Sequence, residues 1–228
     1  MIIISGASRN IGKYLFEQYS EKEEVVGTFF KTQPKGTFSK SNLFKVDIAD
    51  FNSVNNFFKE IENTLQKITL VNCAGISYNS FVHKSDPFEW KNVIETNLVG
   101  TYYMIRVFIS KMRDQNFGRI INFSSVVAQK GTPGVSAYAA SKSALWGLSK
   151  SLAQENGSKG ITINNINLGY VNIGMGIEQV PEIYQTTIKE QIPSKTFCDP
   201  EEIYKTVEFL RHNSYINGTS IDLNGGLI

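Results

Sequence analysis

Apolar residues follow two rhythms along this chain. Short continuous runs fall at 2–4, 25–29, 43–46, 68–72, 119–123, 161–166 and 220–223. Between them lie longer stretches, at 11–19, 54–65, 87–113, 137–155 and 200–211, in which apolar side chains return every three or four positions. The runs predict strands covered on both faces, and the stretches predict helices with one buried stripe. Their alternation predicts an α/β fold of βαβ units, a parallel sheet with helices on both faces. Asp199-Pro200-Glu201-Glu202 reads as a helix start, with an N-cap, a proline at the first helical position and acids in the first turn. The region 169–197 is the least regular, and 174–191 within it is expected to be a mobile lid. With no internal repeat and no linker-like segment, 1–228 is expected to form a single domain.

Composition changes this picture mainly by exclusion. At 41% hydrophobic and 19% charged residues, the chain has the balance of a globular protein. Its 23 basic and 21 acidic residues are scattered, for a net charge of +2, and no basic block points to nucleic acid or a membrane surface. Cys73 and Cys198 are too few and too isolated for a disulfide framework or a metal site. Met1-Ile-Ile-Ile runs straight into Ser5-Gly6 without the basic start of a signal peptide, and no stretch reaches the ~18 apolar residues of a membrane span. These features predict a cytoplasmic protein without metal.

The first run opens into Ser5-Gly6-Ala7-Ser8-Arg9-Asn10-Ile11-Gly12, followed by a helical stretch. In a strand–loop–helix unit, glycines let the backbone turn tightly and approach a pyrophosphate resting on the helix N-terminus. Asn10 stands where a third glycine might be expected, and asparagine tolerates the left-handed conformation such a turn needs. A glycine-rich turn without a ligand is the plainer alternative. A site for NAD usually shows an acid at the tip of the second strand. Here the second run ends Thr28-Phe29-Phe30-Lys31, with a cation beyond the tip and a second cation, Arg9, in the glycine loop. Together they suggest a pocket for the 2′-phosphate of NADP, the alternative being two solvated surface charges. Asp47 and Asn72-Cys73-Ala74-Gly75 end the next two strands, where a flat ring or ribose could lie. Ordinary turn chemistry would explain them equally well.

The stretch 125–142 carries the candidate reaction chemistry. Tyr138 and Lys142 are four apart, which puts them on one face of a helix, and a fixed ammonium eases ionisation of a phenol. Ser125 lies at the end of an apolar run and could face the start of that helix. Tyr-x-x-x-Lys alone is weak, since about one such pair is expected by chance in a chain this rich in both residues.

Together these residues resemble the short-chain dehydrogenase/reductase family over nearly the whole chain. The resemblance runs through Gly6–Gly12, Asp47, Asn72–Gly75, Asn97 with Gly100, Ser125, Tyr138 and Lys142. It continues in Asn167-Leu-Gly-Tyr-Val171, Ile216-Asn-Gly-Thr219 and Asn224-Gly-Gly226. It implies a Rossmann-type, doubly wound, seven-stranded parallel sheet. It also implies a cofactor set of Gly6, Ser8, Arg9, Asn10, Ile11, Gly12, Thr28, Lys31, Asp47, Ile48, Asn72, Ala74, Gly75, Tyr138, Lys142 and Val171. Tyr138 would be the general acid/base, Lys142 would lower its pKa and hold the nicotinamide ribose, Ser125 would bond the substrate carbonyl, and Asn97 would anchor a proton-relaying water. Leu168 and Ile173 depart from the family's usual Pro and Thr, and the Val171 backbone is expected to hold the cofactor's carboxamide instead.

Hydride transfer between NADP(H) and a small carbonyl or alcohol is therefore the leading expectation. The pattern is closest to 3-oxoacyl-carrier-protein reductases, whose carrier is thought to dock on two basic positions beside the site mouth. The matching residues here are Asn116 and Lys159, so only one is basic. Reduction of a sugar-derived or secondary-metabolite ketone is the alternative, and a non-catalytic NADP-binding sensor or scaffold is a second. Small residues along 137–155 (Ala139, Ala140, Ser143, Ala144, Gly147) suggest close helix contact in a homotetramer or homodimer.

Overall fold

The computed structural model describes residues 1–34, 42–178 and 180–228. Among them are seven strands: β1 (Ile2–Ser5), β2 (Val25–Phe29), β3 (Leu43–Lys45), β4 (Thr69–Asn72), β5 (Gly118–Ser125), β6 (Ile161–Leu168) and β7 (Ser220–Leu223). They form one sheet in the order β3-β2-β1-β4-β5-β6-β7, with every pairing parallel. The chain winds outward from β1 to β3, then returns to lay β4 on the other side of β1. That reversal opens a crevice at the carboxyl ends of β1 and β4, where α/β sheets hold their ligands.

The described residues also form eight α-helices, α1 (Asn10–Ser20), α2 (Phe51–Ile61), α3 (Pro87–Ile94), α4 (Gly100–Gln115), α5 (Ser136–Asn156), α6 (Met175–Glu178), α7 (Glu182–Gln191) and α8 (Pro200–His212). Successive strand residues point to opposite faces, so each apolar run feeds two cores. Ile3, Leu70, Ile120 and Ile163 meet α2 and α4 through Val54, Phe57, Met104 and Phe108. Ile2, Ile4, Val71, Ile121 and Ile166 meet α1 and α8 through Leu15, Phe16, Ile203 and Val207. None of these helices is long and apolar enough to cross a membrane. The predicted cap holds: Asp199 accepts from the Glu201 N–H at 2.9 Å, and Asp86 and Asp50 cap α3 and α2 the same way.

Two expectations need correction. The stretch 87–113 is not one helix, because a π turn at Glu95–Val99 separates α3 from α4. The extra residue in that turn leaves the three-to-four spacing of apolar positions readable on either side. The region 169–197 is more regular than expected, since it holds α6 and α7. Helix α7 buries none of its residues and leaves Ile183 80% exposed, so it has no apolar stripe to read.

Strand β6 carries buried polar residues that a covered strand would not be expected to hold. Asn165 and its neighbours form a ladder of side-chain bonds across the sheet. Asn72 donates to Asn122 at 2.8 Å, Asn122 to the Ser149 hydroxyl at 3.1 Å, and Asn165 to the Ser220 hydroxyl at 3.0 Å. Ser149 closes the middle of the ladder by donating to Asn165 at 2.8 Å. Because Asn122 and Asn165 are bonded at both ends of their amides, the polar strand is tolerated, and α5 is pinned to the sheet through Ser149.

Behind the sheet, Tyr19 donates to Glu208 at 2.7 Å, Arg211 bonds Glu208, and Arg211 also reaches Glu23 at 2.8 Å. Burial alone raises the Glu208 carboxyl, but the bonds from Tyr19 and Arg211 more than offset it and leave it below its ordinary 4.5. A carboxyl depressed in the folded state stabilises above its unfolded pKa and loses that contribution as pH falls through the folded value. Glu208→Gln should therefore be less stable than wild type at pH 7, with the gap closing as pH falls below the ordinary 4.5. Urea titrations across that range check this, and parallel curves would show that the pair contributes nothing.

Candidate active site

Most residues expected at a site lie where a parallel strand ends or in the loop that follows, while Tyr138 and Lys142 lie on α5 and Asn97 in the π turn before α4. In the loop between β1 and α1, Gly6 takes φ +74° and Asn10 φ +53°, so asparagine does adopt the left-handed turn. The loop is tight: a Cβ on Gly12 would lie 2.2 Å from the Gly6 carbonyl oxygen, and one on Gly6 would lie 2.8 Å from Ala74 Cα. Only glycine brings these backbones so close, and the first turn of α1 is left presenting its N–H groups to the crevice. Ser8 and Ile11 flank this turn, and Thr28 bonds across to it, its carbonyl accepting from Ala7 at 2.7 Å.

Asp47 sits in ordinary turn chemistry, accepting from the Ala49 N–H at 3.0 Å. Ile48 beside it is buried under Gly100. Arg9 and Lys31 are both exposed, at the ends of β1 and β2, and neither makes an ion pair among the described residues. Register adds a third cation that sequence reading missed, since Phe29 pairs with Lys45 on β3. Lys35, a candidate stand-in for Lys31, lies outside the described residues.

Ser125, Tyr138, Lys142 and Asn97 converge. Strand β5 extends to Ser125, whose hydroxyl lies beside the Tyr138 phenol and draws its pKa down. Lys142 is one turn along α5, its Nζ 5.5 Å from the Tyr138 ring centre and donating to the Phe123 carbonyl at 2.6 Å. Asn97 lies inside the π turn, wholly buried, with both ends of its amide held by Ile76: Nδ2 donates to the carbonyl and Oδ1 accepts the N–H, each at 2.9 Å. Asn97 Oδ1 and Lys142 Nζ face each other across Gly75, at 3.3 and 3.7 Å from where its Cβ would be. Sequence offered no sign of Ile76 or Phe123, because both act through the main chain.

The electrostatics run against one expectation. Lys142 was expected to lower the Tyr138 pKa, yet burial pushes the phenol up to about 12, with Ser125 pulling the other way. The same burial pushes Lys142 down to about 8, opposed by Cys73 beside it. Cys73 itself is pushed up by burial and is no thiolate. Near neutral pH the site therefore holds a neutral phenol above an ammonium, the arrangement of a proton donor.

A dinucleotide fits the crevice on this structure's own terms. Asn72 Oδ1 is buried without a partner. Val171 bridges Cys198, but the bonds of that bridge are made by Asn172 N–H to the Cys198 carbonyl at 2.9 Å and by Cys198 N–H to the Tyr170 carbonyl at 2.8 Å. The N–H and carbonyl of Val171 itself make no hydrogen bond to a described residue, and could meet an amide. Ile173 turns away and packs with the α1–α8 core. The two positions matched to carrier docking do not border this crevice within the chain. Asn116 and Lys159 precede β5 and β6, a strand length of roughly 25 Å from Ser125, because both belong to the amino ends of the strands.

A family model described as short chain dehydrogenase matches residues 1–183. An acetoacetyl-CoA reductase of Shinella zoogloeoides is 35% identical over 98% of this chain and 96% of that protein. A 3-oxoacyl-acyl-carrier-protein reductase of Haemophilus influenzae is 32% identical over 99% of this chain and 96% of that protein. Carbonyl reductase family member 4 of Xenopus laevis is 31% identical over 98% and 96%.

Proposed function

The chain belongs to the short-chain dehydrogenase/reductase family of oxidoreductases, and from that premise we propose that it reduces 3-oxoacyl thioesters with NADPH. The observation that carries this reading is the meeting of Ser125, Tyr138 and Lys142 at the end of β5, with a neutral phenol beside a serine and an ammonium below it. The thioester class comes from the names of two relatives, an acetoacetyl-CoA reductase and a 3-oxoacyl-acyl-carrier-protein reductase.

Bound nicotinamide would supply the hydride that reaches the carbonyl carbon. The Ser125 hydroxyl and Tyr138 phenol would both point at the carbonyl oxygen, and Tyr138 would pass its proton to that oxygen as charge develops there. Lys142 would hold the nicotinamide ribose and stabilise the resulting phenolate, and Asn97, fixed by Ile76, would seat the water that returns a proton through Lys142. Arg9, Lys31 and the first turn of α1 would hold the cofactor's phosphates.

The test is NADPH oxidation against acetoacetyl-CoA, an acetoacetyl carrier-protein thioester and a set of simple and sugar-derived ketones. Turnover of the thioesters above the free ketones supports the reading, and turnover of free ketones alone overturns it. Assembly is expected as well. Ala140 and Gly147 of α5 are exposed, Tyr102 of α4 is 43% exposed, and Phe51, which packs on Tyr103, is 41% exposed. Small and aromatic surfaces on neighbouring helices suit close packing of a second copy, so light scattering at micromolar concentration should give a tetramer or, failing that, a dimer. A monomer would count against it.

A further inference from the structure

We propose that Trp146 is a positioning residue for this site, whose indole N–H orients the Ser124 hydroxyl onto Lys142 and so fixes α5 against the tip of β5. The proposal rests on the reading of Ser125, Tyr138 and Lys142 given above. Trp146 lies one turn beyond Lys142 on α5. Its Nε1 lies 3.1 Å from the Ser124 hydroxyl oxygen and 3.0 Å from Asn167 Oδ1. Ser124 in turn donates to the main-chain carbonyl of Lys142 at 3.0 Å. Because Phe123 receives the Lys142 ammonium, two consecutive residues of β5 grip Lys142 at both ends, one its carbonyl and the other its charge.

A hydroxyl has one proton to give. Ser124 stands beside Asn167 in the β5–β6 register, so its proton has two acceptors within reach: the Lys142 carbonyl and Asn167 Oδ1. The indole settles the choice by donating to both oxygens, which satisfies Asn167 and leaves the Ser124 proton for Lys142. Without that N–H, Asn167 Oδ1 would be buried and unsatisfied, and the serine would turn to it and release the helix. The chain of bonds continues outward. Asn167 Nδ2 donates to Asp222 Oδ1 at 2.7 Å, and Gln129 donates to both Asp222 oxygens, at 3.0 and 3.1 Å. Gln129 follows the turn Val126–Ala128, whose Val127 N–H bonds the Ser125 hydroxyl. One network therefore touches the elements that carry Ser125, Tyr138 and Lys142, and ends on an exposed carboxylate of β7.

Trp146→Phe keeps an aromatic ring on α5 and removes the pyrrole part of the indole with its N–H donor. In NADPH-driven reduction of acetoacetyl-CoA, kcat should fall about tenfold, or ~1.4 kcal/mol of barrier, with both KM values within about twofold. Asp222→Ala is a remote, exposed change that tests the same chain should Trp146→Phe fail to fold. It should lower kcat about threefold, and the double variant should be no slower than Trp146→Phe by more than about twofold, because the two act as one network. A kcat equal to wild type in Trp146→Phe, a change confined to KM, or effects that multiply would overturn the proposal. Competitive acetylation of Lys142, followed by mass spectrometry across pH, reads the same network without turnover. Its midpoint should rise in Trp146→Phe as Lys142 leaves its seat, and an unchanged midpoint would overturn the proposal. A wild type that reduces none of the carbonyls would instead overturn the function proposed above, leaving the acetylation experiment to decide the network.

Discussion

Tyr138→Phe is expected to lower kcat for thioester reduction by about 10²–10⁴-fold while NADPH affinity stays within about threefold, the range of a general acid removed from an intact site. The substitution removes one oxygen beside Ser125 and leaves the ring and its contact with Lys142 in place. The magnitude follows from the phenol being neutral before reaction. With its pKa pushed up to about 12, Tyr138 is fully protonated near pH 7 and has a proton to deliver when the carbonyl oxygen gains charge. Lys142→Ala should behave differently, damaging both turnover and cofactor binding, since in the proposed reaction its ammonium serves both the phenolate and the ribose. Steady-state kinetics with fluorescence titration of NADPH separates the two cases. Substantial residual turnover in Tyr138→Phe at saturating substrate would remove it from the proton-donor role.

What the sequence made legible was whatever repeats or turns locally. Continuous runs such as Ile2-Ile3-Ile4 are covered on both faces, so burial alone marks them, and their alternation with helices gives the sheet its parallel sense. The left-handed turn at Asn10 was readable because few side chains tolerate that conformation. Convergence of Tyr138, Lys142 and Ser125 rested on two local spacings, a helical turn and a strand end. Three kinds of feature stayed hidden. Helix α7 buries no face, so no periodicity exists to find. The π turn that seats Asn97 is one extra residue in a helix, and the partner it meets there is the main chain of Ile76, far from it in sequence. The pKa of Tyr138 depends on how deeply α5 is buried against β5, and spacing along a helix says nothing of depth. The polar residues of β6 and the Trp146 network are likewise tertiary, since each asparagine finds its partners on another strand or on α5.

NADPH is expected to be preferred over NADH by about ten- to a hundredfold in kcat/KM, and the surface at the ends of β1, β2 and β3 is the reason. Phe29 stands at the tip of β2, where an acid would bind both ribose hydroxyls and repel a phosphate. Around it are three exposed cations: Arg9 in extended backbone just before α1, Lys31 just past β2, and Lys45 directly across in the β2–β3 register. No carboxylate among the described residues pairs with any of them, so each is free to meet a 2′-phosphate. Charge-assisted bonds of this kind contribute ~1.5–3 kcal/mol before screening. Exposure halves that figure at least, and two bonds at half strength still give roughly 1.5–3 kcal/mol, or ten- to a hundredfold. Lys31 also lies 5.9 Å from the Phe30 ring, a weak contact that a phosphate would readily replace. Arg9→Ala should cut the preference most, since Arg9 sits in the loop that carries the phosphates. Phe29→Asp should reverse the preference by setting a carboxylate beside the ribose. Measuring kcat/KM with both cofactors for the wild type, Arg9→Ala, Lys45→Ala and Phe29→Asp decides the matter. Equal use of NADPH and NADH by the wild type, or an Arg9→Ala variant with unchanged preference, would place the phosphate elsewhere.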